Sequence, residues 1–104
     1  MYILDENNNA IFSPDEITWG YFMEGNRKIV QQETLSDGSL ISTVFLGLDH
    51  NFFAMESPPL LFETMVFPKS DFKDGDLRER CSTWQEAREQ HKRIKQEILN
   101  ASYK

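Results

Sequence analysis

Four residues of this chain have side chains able to hold a cation or move a proton: Asp49, His50, Glu63 and His91. Carboxylate oxygens and imidazole nitrogens together form an oxygen–nitrogen donor set for a divalent metal. The same groups in hydrogen-bond reach of one another form an acid–base cluster. Glu63 is the most unusual of the four, because it sits at the centre of PPLLFETMVF (58–67), an otherwise nearly apolar run. A carboxylate in such a strand has to find a basic or hydroxyl partner, hold its proton, bind a metal, or face solvent on one side of a sheet. Asp49 and His50 close the preceding apolar run, STVFLGLDH (42–50). Two of the four also have a structural role open to them, Asp49 as a strand-end cap and His91 as a core histidine with a hydrogen bond. No spacing here matches a nucleophile or metal motif, no glycine-rich phosphate loop is present, and Cys81 has no histidine beside it in sequence. The residues therefore call for no cofactor, and catalysis has no support beyond this cluster.

The elements that must position these residues follow from local signals. MYIL (1–4) has the composition of a short strand, and DENNNA (5–10) that of a turn. In SPDEITWGYFMEGN (13–26), Ser13 as cap, Pro14 at the first helical position and Glu16 three residues after the serine predict a helix, with Gly25 as its stop. Ile17, Tyr21 and Glu24 fall on one side of it and Trp19, Phe22 and Met23 elsewhere, so its apolar surface is broad. RKIVQQETL (27–35), the turn SDGS and LISTVFLGLDH (40–50) predict a hairpin, whose second strand is apolar on both faces. Residues 60–67 are its expected next neighbour across a long connection, in a register that sets Glu63 opposite Gly47. STWQEAREQHKRIKQEIL (82–99) predicts the last helix, capped by Ser82 with Gln85. Trp84, Ala87, His91, Ile94 and Ile98 line its apolar face, and Trp84 is expected to be largely buried. The order implies an α+β fold: an antiparallel sheet of three to four strands with two helices, the C-terminal one packed on the sheet.

A chain of 104 residues is expected to be a single domain, residues 1–104, because halves of it would be too small to bury a core. Eight phenylalanines and two tryptophans argue against disorder. No apolar run approaches the roughly 20 residues of a membrane span, and the lone cysteine suits a reducing compartment, so a cytoplasmic location is expected. The formal charge of −6 disfavours direct nucleic-acid binding. Most of it comes from Asp5, Glu6, Asp15, Glu16 and Glu24, in a stretch without lysine or arginine. Such a surface is either a solvated face or a docking surface for a basic partner. Phe52 and Phe53, in the long connection, are further contact candidates if exposed.

STVFLGLDH (42–50), PPLLFETMVF (58–67) and STWQEAREQH (82–91) resemble, in order and spacing, blocks of small uncharacterised proteins encoded by tailed phages and prophages. The resemblance covers about half the chain and implies a viral accessory protein acting in a bacterial host cytoplasm, with no defined activity. Three functional classes are compatible with it. The first binds a host protein, for instance to block a defence nuclease such as a CRISPR effector with an acidic surface, through Asp5, Glu6, Asp15, Glu16, Glu24, Phe52 and Phe53. The second is a metal- or ligand-binding protein or enzyme built on Asp49, His50, Glu63 and His91. The third is a virion-associated part.

Overall fold

Two turns and two caps account for most of the local structure. In the turn after Leu35, Gly38 adopts φ 91°, its N–H reaches the Leu35 carbonyl at 2.9 Å, and Asp37 Oδ1 accepts the Ser39 N–H at 2.8 Å. A left-handed glycine after a type I turn matches the twist of a hairpin, so the flanking segments pair as β3 (Ile29–Thr34) and β4 (Leu40–Phe45). At the N-terminus, Asp5 Oδ1 accepts the N–H groups of Asn7 and Asn9, and Asn8 takes φ 64°. This turn joins β1 (Tyr2–Leu4) to β2 (Ala10–Phe12) as a separate two-stranded ribbon. The computed structural model describes residues 1–49, 57–68 and 77–101.

α1 (Glu16–Glu24) begins at Asp15 and not at Ser13, because the aspartate carboxylate accepts the Thr18 N–H at 2.7 Å while Ser13 turns its hydroxyl to the Asp15 carbonyl. A carboxylate at that position also answers the partial positive charge of the helix N-terminus. α2 (Trp84–Ala101) is likewise capped one residue later than the Ser82–Gln85 pair suggests. Thr83 Oγ1 accepts the Glu86 N–H and Glu86 Oε1 accepts the Thr83 N–H, each at 3.1 Å, a reciprocal box with a charged acceptor.

The main sheet is an antiparallel meander in the order β3-β4-β5-β6, with β5 at Phe62–Phe67 and β6 at Leu77–Cys81. Together with the two helices this gives an α+β fold with the C-terminal helix packed on the sheet. β6 has no strand signal in its sequence. Its LRERC sequence lacks the apolar alternation of a buried strand, and it forms at an edge, where Arg78 and Arg80 reach back to Glu63. Glu63 stands opposite Val44, not Gly47. Gly47 lies beyond the end of β4 at φ 76°, and a Cβ there would come within 2.8 Å of Trp19 Nε1 and 2.9 Å of Met23 Sδ. Its carbonyl accepts from Trp19 Nε1 at 3.2 Å and from the Tyr2 N–H at 2.8 Å, so the missing side chain lets both β1 and α1 dock on the sheet.

The core has two parts on the α2 face of the sheet. Leu4, Phe45, Leu61, Phe62 and Ala87 form one, with Phe22 of α1 meeting Phe45 edge-on at 5.8 Å; Leu35, Ile41, Val66 and Ile94 form the other. Trp84 is partly buried, packed against the first cluster and set edge-on to Phe62 at 6.4 Å. The α2 residues most fully enclosed are Ala87, His91 and Ile94.

Candidate functional site

Strand alternation decides which of the candidate residues can meet. Thr43, Thr64 and Glu79 are directly opposite one another on β4, β5 and β6 and share the face under α2. Glu63, next to Thr64, points to the opposite face. There it pairs with Arg80 Nε at 2.9 Å and lies 3.7 Å from Arg78 Nε. The charge in the apolar run is thus a cross-strand ion pair, and the sheet separates it from His91. Asp49 caps, as its type suggests, its Oδ1 accepting the Leu60 N–H at 2.9 Å across the ends of the long connection. His50, Phe52 and Phe53 lie outside the described residues. Among the described residues no group of three or more histidines, cysteines or acids could hold a metal ion, so Asp49, Glu63 and His91 are not brought together.

Between sheet and helix runs a row of polar side chains. Gln90 Nε2 donates to Thr64 Oγ1 at 2.9 Å, the two threonine hydroxyls are 2.7 Å apart, and Thr43 Oγ1 is 2.7 Å from His91 Nδ1. His91 Nε2 is 2.9 Å from Glu33 Oε1, and Lys95 Nζ donates to Glu33 Oε2 at 2.9 Å. The ammonium of Lys95 and the imidazole of His91, both hydrogen-bonded to Glu33, hold its carboxyl below its ordinary value of 4.5. A carboxylate only accepts, so Nε2 carries a proton, and in the neutral imidazole Nδ1 accepts from Thr43. In that neutral form the bonds run from Gln90 to Thr64, Thr64 to Thr43, Thr43 to His91 and His91 to Glu33. Among the described residues no buried side-chain nitrogen or oxygen is left without a partner.

Carboxylate, imidazole and hydroxyl in series have the connectivity of a nucleophilic triad. The hydroxyl is in the wrong place for that work. Thr43 is fully buried and His91 is 1% exposed, so no substrate carbonyl reaches the Thr43 oxygen in this conformation. Nor is Cys81 a ready nucleophile, because burial, with Glu86 adding to it, pushes its thiol up to about 11. The row's chemistry is that of a buried polar network fixing helix to sheet.

The network gives a pH dependence of known sign. Glu33 is depressed in the folded protein, so its contribution to stability is complete above about pH 4.5 and drains as pH falls through the lower folded value. The difference in melting temperature between wild type and Glu33→Gln should therefore shrink as pH is lowered from about 5 to about 3. A pH-independent difference would show that the carboxylate charge is not what the row uses.

Of the acids in the N-terminal quarter, Asp5 and Asp15 are committed to backbone N–H groups, which hold their pKa values below the usual carboxylate range, chiefly through Asn9 and Thr18 respectively. Glu6, Glu16 and Glu24 are exposed. Between Glu16 and Glu24, Ile17 and Tyr21 stand one turn apart at 72% and 74% exposure, with open space beside Gly20. No residue of α1 is buried; its Trp19, Phe22 and Met23 pack inward and its Ile17 and Tyr21 point out. The broad apolar surface was visible in the sequence. The Glu33–His91–Thr43 row was not, because Thr43 and Thr64 are individually ordinary strand residues. No protein family, curated protein or solved structure matches this chain. Among the described residues no helix is long and apolar enough to cross a membrane.

Proposed function

We propose that this chain is a non-catalytic accessory protein of the phage type that acts by docking on a host protein, with the outer face of α1 as its contact surface. One observation carries the reading: a nine-residue helix has apolar residues on both sides and covers only one of them. A helix that is apolar all round is normally enclosed, so the Ile17–Tyr21 side lacks its covering layer. The carboxylates of Glu16 and Glu24 flank that side, which suits a partner whose surface is basic around an apolar patch. The nucleic-acid channel of a defence nuclease, such as a CRISPR effector, has that kind of charge.

Ile17 and Tyr21 are largely outside the fold, so replacing both with serine should leave the melting temperature within about 1 °C while abolishing recovery of the partner captured by the wild type from host lysate. Neutralising Glu16 and Glu24 to amides, which leaves the Asp15 cap in place, should instead slow association and flatten its salt dependence, since exposed acids act mainly by steering. Undiminished recovery by the Ile17→Ser, Tyr21→Ser protein would remove α1 as the contact surface.

A further inference from the structure

We infer that the groove between the free edge of β3 and α2 binds an extended acidic peptide by strand addition, a second binding site on elements distinct from the α1 face. Among the described residues β3 pairs with β4 alone, so its other edge is open. The Leu35 N–H bonds the Ser39 carbonyl, and alternation from that pair turns the backbone groups of Gln31 and Glu33 toward β4 and those of Gln32 and Thr34 outward. Beside this edge lies a groove of about 610 Å³, lined by Gln31 and Glu33 of β3 and by Gln85, Arg88, Glu89, His91, Lys92 and Lys95 of α2. Lys95 is committed to Glu33. Arg88 and Lys92 make no ion pair or hydrogen bond among the described residues, and both are exposed.

Two like charges one helical turn apart repel each other, and the Glu89 carboxylate beside them in the groove accepts from Gln85 Nε2 at 3.0 Å instead of pairing with either. An added strand supplies the acids. Alternate side chains of a strand repeat at about 6.8 Å, close to the roughly 6 Å rise between residues four apart on a helix. Residues of the incoming peptide opposite Gln31 and Glu33 share their face of the sheet and project into the groove toward Arg88 and Lys92. Main-chain bonds to Gln32 and Thr34 then give affinity and the two cations select acidic side chains, a division of labour common to strand-addition sites.

The test uses three blocked octapeptides: alternating threonine and glutamate, alternating threonine and lysine, and the glutamate peptide N-methylated at every second residue. Calorimetry and amide exchange on the full chain read the result. The glutamate peptide should bind, slow exchange at the Gln32 and Thr34 amides, and lose at least about tenfold in affinity with Arg88→Ala, Lys92→Ala protein of unchanged melting temperature. The lysine and N-methylated peptides should not bind. Binding of the N-methylated peptide, equal binding of the lysine peptide, or no binding of the glutamate peptide at millimolar concentration would each overturn the inference. None of these results depends on the partner captured through Ile17 and Tyr21, so the two sites stand or fall separately.

Discussion

Replacing His91 with alanine should destabilise the protein by about 3–5 kcal/mol, a large part of what a domain of this size has to lose. Two costs combine. The imidazole is 1% exposed, so its removal leaves a cavity between helix and sheet. It also joins Thr43 to Glu33, so the Thr43 hydroxyl loses its imidazole partner and the Glu33 carboxylate loses one of its donors. Thr43→Val separates the two, because it keeps volume and deletes only the hydroxyl, and should cost about 1–3 kcal/mol. Since both changes break the same chain of bonds, the double variant should cost clearly less than the sum of the single ones. Urea unfolding followed by tryptophan fluorescence measures all three. Additive losses would mean that His91 serves only as packing and that the bond order from Gln90 to Glu33 carries no energy of its own.

How much of this was legible in the chain differs from element to element, for physical reasons. The hairpin of β3 and β4 was readable because SDGS confines its turn to one geometry, and α2 because its apolar residues repeat at the helical period through Ile98. Both signals are local. The fate of Glu63 was not local: whether it meets His91 depends on which face of β5 it takes, and a one-residue change of register reverses that. The observed pairing of Thr43 with Thr64 fixes the register, places Glu63 with Arg78 and Arg80, and dissolves the Asp49, Glu63 and His91 set. β6 escaped because an edge strand with one face toward a helix and the other toward an acid can be built from arginine and glutamate as well as from valine. The caps were displaced by one or two residues because serine, threonine and aspartate all cap, and only the geometry shows which one reaches the free N–H groups. The exposed Ile17 and Tyr21 were legible as apolar positions, but that α1 buries only its other side depends on Gly47, where Trp19 and Met23 come in.

Phe45→Ala should have an effect of similar size to the loss of His91, about 3–5 kcal/mol, but with a different distribution over the molecule. Phe45 is 1% exposed and touches Phe22 of α1 at 5.8 Å and Phe62 of β5 at 5.2 Å between ring centroids. It holds the N-terminal ribbon and α1 to the main sheet together with Gly47, which accepts from Trp19 and Tyr2, and Leu4 in the same cluster. α1 has no buried residue of its own and is too short to persist alone, so its helicity depends on that contact. Removing the ring should therefore lower protection of the α1 and β1 amides before that of α2, whose Ile94 packs in the separate cluster of Leu35, Ile41 and Val66. The His91 variant should do the reverse, loosening α2 while the N-terminal amides keep their order of exchange. Hydrogen exchange resolved by residue distinguishes the two patterns. Uniform loss of protection in the Phe45 variant would mean that the N-terminal unit and the sheet unfold as one. Were α1 to loosen first, docking through Ile17 and Tyr21 should weaken in step with its lost helicity, because a frayed helix has to be reordered before it can bind.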